Sequence, residues 1–130
     1  MNSEKPSFDI VYLPEAIDFL ETQSEKVRKK IVSNIDRSRY EWNKELFKKL
    51  ENTEIWEFRT KYNGIAYRLF SFWDRERKSL VVATHGIIKK KQQIPLKEIH
   101  KAEAIMKLYY EQFNENENGE DEDIHARGNA

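Results

Sequence analysis

Cysteine is absent from this chain of 130 residues, which excludes a disulfide framework, a thiol nucleophile and any zinc site built on thiolates. That absence fits a reducing compartment, and the cytoplasm is the expected location. No run of about 18 apolar residues is present either, the length that a membrane-spanning helix needs. The opening stretch "MNSEKPSFDI" has no hydrophobic leader, so no membrane partner is expected. Several chemistries also lack their signatures: there is no G-x-x-x-x-G-K, G-x-G-x-x-G or H-E-x-x-H motif and no nucleophile elbow. The three histidines, His85, His100 and His125, fall in different kinds of segment. Neither a metal nor a cofactor is implied, and His125 among nearby acids is a weak ligand set.

What is present is charge, unevenly placed. Over the whole chain 23 bases balance 23 acids. Residues 114–130, "NENENGEDEDIHARGNA", hold six acids and a single base, Arg127, which leaves 22 bases and 17 acids in residues 1–113, a body of net +5. One domain over residues 1–113 and a disordered acidic tail over 114–130 are therefore expected, because so polar a tail has too little apolar surface to bury. A basic body suits an anionic partner such as nucleic acid, held mainly through phosphates. A charge of this size is also ordinary for a soluble domain.

Along the chain, "FDIVY" predicts a short strand. Pro14, followed by Ala16, Ile17 and Leu20 at helical spacing, predicts a short helix ending near Thr22. Thr22 and Glu25 fit a capping box opening a longer helix, with Val27, Ile31 and Ile35 inward and Arg28, Lys29, Lys30, Arg37 and Arg39 outward. "EWNKELFKKLENTE" shows no period and reads as a connection. From Trp56 the period becomes two, with Trp56 and Phe58 on one face and Glu57, Arg59 and Lys61 on the other. "YNG" is a hairpin turn signal. "IAYRLFSFW" and "SLVVATHGII" are apolar on both faces, as covered strands are, and Pro95 opens a last helix with a stripe of Leu96, Ile99, Ala102, Met106, Tyr109 and Phe113. The order β-α-α-β-β-β-α predicts an α+β domain with helices against a small, mostly antiparallel sheet.

Cations interrupt this apolar pattern. Arg68 lies inside an aromatic strand, Arg59 on its neighbour, Lys48 and Lys49 before the sheet, and Lys89, Lys90 and Lys91 after it. A guanidinium keeps its proton, so a covered Arg68 needs a partner or an opening. Glu57 or Glu54 would serve as the partner; an anionic substrate in a groove would serve as well. The lysine run is a solvated strand end or the mouth of such a groove. His85 shares parity with Ile87 and Lys89, either as a satisfied core histidine or as a participant in chemistry. Tyr62, Tyr67, Phe72 and Trp73 either stack on bases or fill the core.

The motifs K-x-L before the sheet, I-W-E-F-R, Y-R-L-F-S-F, H-G-I-I-K-K-K-Q-Q-I-P and the K-A-E helix, in that order, resemble the phage-derived Gp49-like, HigB-type branch of the RelE/ParE toxin superfamily. The resemblance covers about residues 8–113. It implies the toxin of a type II toxin–antitoxin pair, of microbial-ribonuclease size, cleaving mRNA on the ribosome. The implied partner is a helix-turn-helix (HigA-like) antitoxin, in a toxin–antitoxin hetero-oligomer.

By the same resemblance Arg59 and Arg68 clamp phosphate and stabilise the transition state. Lys49, with Lys48 beside it, binds the backbone or serves as base, Lys89, Lys90 and Lys91 hold RNA, and His85 is an acid or base. Metal-free cleavage needs those roles, together with the 2′-hydroxyl that DNA lacks. Alanine at Arg68 is expected to abolish cleavage and leave folding intact. Two other readings stay open, a ParE-like poison of DNA gyrase and a non-catalytic module that docks an antitoxin or nucleic acid.

Overall fold

The computed structural model describes residues 5–126, with side chains through Gln112. Among them the chain forms β1 (Asp9–Tyr12), α1 (Pro14–Glu21), α2 (Glu25–Tyr40), β2 (Phe47–Lys49), β3 (Trp56–Tyr62), β4 (Ile65–Trp73), β5 (Leu80–Lys89) and α3 (Leu96–Ala126). The strands make one sheet in the order β1-β5-β4-β3-β2; β1 runs parallel to β5 and the other neighbours are antiparallel. The expected α+β architecture is present, with one strand more than the sequence pattern predicted. That strand, β2, has only three residues, too few to show a period, and is held by pairing Phe47 with Phe58 and Lys49 with Trp56.

Alternation along β3 separates two cores. Phe58 joins Phe47, Leu69, Ile31 and Ile35 on the face covered by α1 and α2. On the opposite face Phe70, Phe72 and Val82 pack against Ala102, Met106 and Tyr109 of α3. Phe70 and Phe72 are fully buried, which stabilises the fold by about 1.5–3 kcal/mol each. Leu96 of the expected stripe is exposed, since it lies where α3 begins, beyond the sheet. The side chains of residues 113–126 and all of residues 127–130 lie outside the described residues, and with them the expected tail disorder, Phe113 and His125. No helix among the described residues is long and apolar enough to cross a membrane.

Two local features set the register that matters below. Asn63 and Gly64, at φ 52° and 79°, form the two-residue turn between β3 and β4, the left-handed pair that matches strand twist. It puts Arg59 directly opposite Arg68. Farther along, Phe70 pairs with His85 and Ser71 with Ala83, so Thr84 is an extra residue in a bulge. Beyond the bulge Ile87 stands opposite Arg68 and Lys89 opposite Ala66.

The start of α2 differs from the expected capping box. Ser24 is the N-cap, its hydroxyl accepting from the Val27 N–H at 3.3 Å. The Thr22 hydroxyl instead donates to the Phe19 carbonyl at 2.7 Å, closing the end of α1. Both residues carry a suitable oxygen, and the extended backbone at Ser24 decides between them.

Candidate functional site

Glu57, Arg59 and Arg68 share the sheet face that α3 covers only in part. Arg68 pairs with Glu57, one of the two acids the sequence offered; Glu54 meets Arg75 on the surface instead. The Glu57 carboxylate lies between two guanidiniums, with Oε1 at 3.1 Å from Arg68 Nε and Oε2 at 3.5 Å from Arg59 Nε. Neither arginine Nε makes an aligned hydrogen bond, although both atoms are buried. Burial pulls the Arg68 pKa below its ordinary value, and Glu57 opposes that pull. The group is so basic that it keeps its charge. Arg68 further donates to the Tyr67 carbonyl at 3.3 Å, and Arg59 to the Lys44 carbonyl at 3.4 Å.

A cleft of about 470 Å³ opens at the Asn63–Gly64 end of the sheet, with α2 on one face and Arg59, Lys61, Arg68 and Lys89 on the other. Lys30, Arg37, Arg59, Lys61, Arg68 and Lys89 line it against a single carboxylate, Glu45. Lys30, Asn34 and Arg37 come from one stripe of α2, spaced i, i+4 and i+7. The helix is pinned to the sheet by a buried hydrogen bond from Asn34 Nδ2 to Thr60 Oγ1 at 3.2 Å. Six cations around one concavity make its electrostatic potential positive, which favours anions. Among the described residues, no group of three or more His, Cys, Asp and Glu is placed to hold a metal.

Residues 18–107 match the family described as Phage derived protein Gp49-like (DUF891). The chain belongs to that family. It is the branch that the ordered motifs resembled. A chain of the RelBE2 toxin–antitoxin complex from Mycobacterium tuberculosis superposes on this Gp49-like chain with a TM-score of 0.48 at 16% identity, covering 70% of this chain and 100% of that one. So loose a likeness carries nothing about activity. No curated protein matches the chain.

In the Gp49-like chain the residues expected at a site divide into three groups. Arg59, Arg68 and Lys89 converge on the cleft. Lys48 and Lys49 do not line it; they lie on β2 beside Trp42 and Trp56, around a separate hollow. Lys90 and Lys91 follow the end of β5 and are exposed outside the cleft.

His85 stands apart from all of these. It is 3% exposed, with Nδ1 at 3.1 Å from Thr84 Oγ1 and Nε2 at 3.0 Å from Glu98 Oε1. Burial lowers its pKa, with Glu98 opposing. The expectation of an acid or base at His85 thus meets a buried tie between β5 and α3, with both ring nitrogens occupied. Tyr67 and Phe72 are core residues, and Tyr62 and Trp73 pack partly buried against the core. Lys30, Arg37 and Lys61 were missed as cleft residues. The signal for the first two was the polar i, i+7 stripe on α2, which had been read as a solvent face.

Proposed function

We propose that this Gp49-like chain is the toxin of a type II toxin–antitoxin pair and acts as a ribosome-dependent mRNA endoribonuclease. The single observation that carries the reading is the cleft, where Arg59 and Arg68 stand side by side among four further cations. The family to which the chain belongs supports it.

In the proposed step the 2′-oxygen attacks the adjacent phosphorus as the bond to the 5′-oxygen breaks. The products are a 2′,3′-cyclic phosphate and a 5′-hydroxyl. The 2′-hydroxyl gives its proton to a base, and the leaving oxygen takes one from an acid. Charge grows on the non-bridging oxygens, where the two guanidiniums stabilise it. The titratable groups lining the cleft are Lys30, Lys61, Lys89 and Glu45. The proposed partner is a helix-turn-helix antitoxin, and the proposed setting is the cytoplasm, where ribosomes and mRNA meet.

Primer extension on a defined mRNA in a purified translation system tests the reading, with wild type, Arg59→Ala and Arg68→Lys, each with and without ribosomes. New 5′ ends that need ribosomes and fall at least about 100-fold in either variant are expected. Folded wild type that makes no new ends would sink the nuclease and direct the test to DNA gyrase.

A further inference from the structure

The loop after α2 builds a second concavity, a hollow of about 270 Å³ whose lining includes Trp42, Phe47, Trp56, Lys44, Lys48 and Lys49. We infer that this hollow takes an unpaired nucleobase of the RNA whose phosphates occupy the cleft. The inference rests on the nuclease reading above and adds to it a base-stacking subsite.

Trp42 is the first observation. It is 68% exposed, an expensive position for so large an apolar ring. Its ring is nevertheless braced, with its centroid 5.9 Å from Trp56 and 6.4 Å from Phe47. Phe47 is buried and stacks on Phe58 at 4.2 Å, so the floor of the hollow is fixed by the core. A braced indole with most of its surface in solvent is a ready stacking platform.

Charge is the second. Three lysines line the hollow and no carboxylate does. An aromatic floor ringed by cations complements a base with its flanking phosphates. It complements an apolar or acidic peptide less completely, since the first leaves the lysines unmatched and the second leaves the rings unmatched.

Continuity is the third. The segment of residues 42–49 has the hollow on one side and the cleft on the other, with Glu45 and Leu46 facing the cleft. Arg59 ties itself to that segment twice, through its backbone N–H to the Leu46 carbonyl at 2.8 Å and its guanidinium to the Lys44 carbonyl at 3.4 Å. A strand with one phosphate at Arg59 therefore has its neighbouring nucleotide beside the hollow. Asn43, the lining residue with an amide, accepts the Glu45 N–H at 2.8 Å on its Oδ1. Stacking thus outweighs edge reading, and the subsite is expected to tolerate any base.

Fluorescence anisotropy with the full chain tests the inference. The probe is a labelled single-stranded dodecamer of 2′-O-methyl RNA, which this chemistry cannot cut, alongside the same oligomer made abasic. Trp42→Ala should weaken binding of the first probe about tenfold, Trp42→Phe should restore it to within about threefold, and the abasic probe should respond to neither. Trp42→Ala that binds as wild type does, while Arg59→Ala binds weakly, overturns the subsite alone. An equal loss on both probes overturns stacking on a base. Wild type that binds neither probe overturns the subsite, while the nuclease reading stands or falls on primer extension with ribosomes.

Discussion

Glu57 and Arg68 meet at 3.1 Å with each side chain only 7% exposed, yet the contact is not aligned as a hydrogen bond. Attraction in a place of low dielectric holds the two together, and the unfilled donor and acceptor offset part of what the contact gives. Arg59 shares the same carboxylate from a position 30% exposed. The triad therefore both positions two of the cleft's cations and is a piece of buried electrostatics on which the fold rests.

That double role changes what an alanine at Arg68 does. The sequence-based expectation was lost cleavage with an intact fold. Stranding Glu57 against Arg59 alone should instead cost about 3 kcal/mol, read as a lower urea midpoint. Replacing Glu57 and Arg68 together with leucine should recover most of that loss, because the one charge left over is Arg59, whose side chain is 30% exposed and can turn to solvent. Arg68→Ala as stable as wild type would mean that solvent reaches Glu57 more freely than its burial indicates.

Lys89 should act as a pure phosphate contact. It lines the cleft beside Ala66 and Arg68, and no salt bridge is assigned to it among the described residues. Lys89→Ala should weaken binding of single-stranded RNA to a similar degree whatever the sequence. It should also make the plot of log affinity against log salt shallower by about 0.7. Titrations at several salt concentrations check this, and an unchanged slope would remove Lys89 from the interface.

Much of this arrangement was legible because it depends on local chain chemistry. The alternation from Trp56 and the Asn63-Gly64 turn follow from side-chain period and positive φ, and together they put Arg59 opposite Arg68. Strand β2 was not legible, since three residues gain order only from a partner strand. Lys30 and Arg37 read as a solvated face because nothing within α2 reveals that Asn34 ties it over Thr60. The parity of His85 was read correctly. The satisfied core histidine was one of its two readings, but its partner was not legible, because Glu98 arrives from a helix that begins after the strand has ended.

His85 gives the fold a pH dependence of predictable sign. Burial lowers its pKa below the ordinary 6.5, with Glu98 and Glu15 opposing and Lys101 adding to the shift. The unfolded chain therefore takes up a proton in a range where the folded chain does not. Stability is present above the ordinary value and is lost as pH falls from there towards the folded pKa. Urea unfolding at about pH 7.5 and about pH 5.5 should show a larger loss for wild type than for His85→Gln. Equal losses would mean that other groups set the acid limb.

The last prediction concerns the sheet face that α1 covers. A Cβ built at Gly86 would lie 2.3 Å from Phe19 Cδ2 and 2.6 Å from Cγ and Cε2 of the same ring. Gly86 pairs with Leu69 in the register set after the bulge, so the strand cannot shift without moving Arg68 and Lys89. The ring must give way instead, and Gly86→Ala should destabilise the chain by about 1–3 kcal/mol, the usual cost of overpacking. Phe19→Leu in the same chain removes the ring and should return a good part of that loss, so the two changes are non-additive. Denaturant unfolding of both single variants and the double variant measures the coupling. Additive losses would show that the cost at residue 86 does not come from the Phe19 ring.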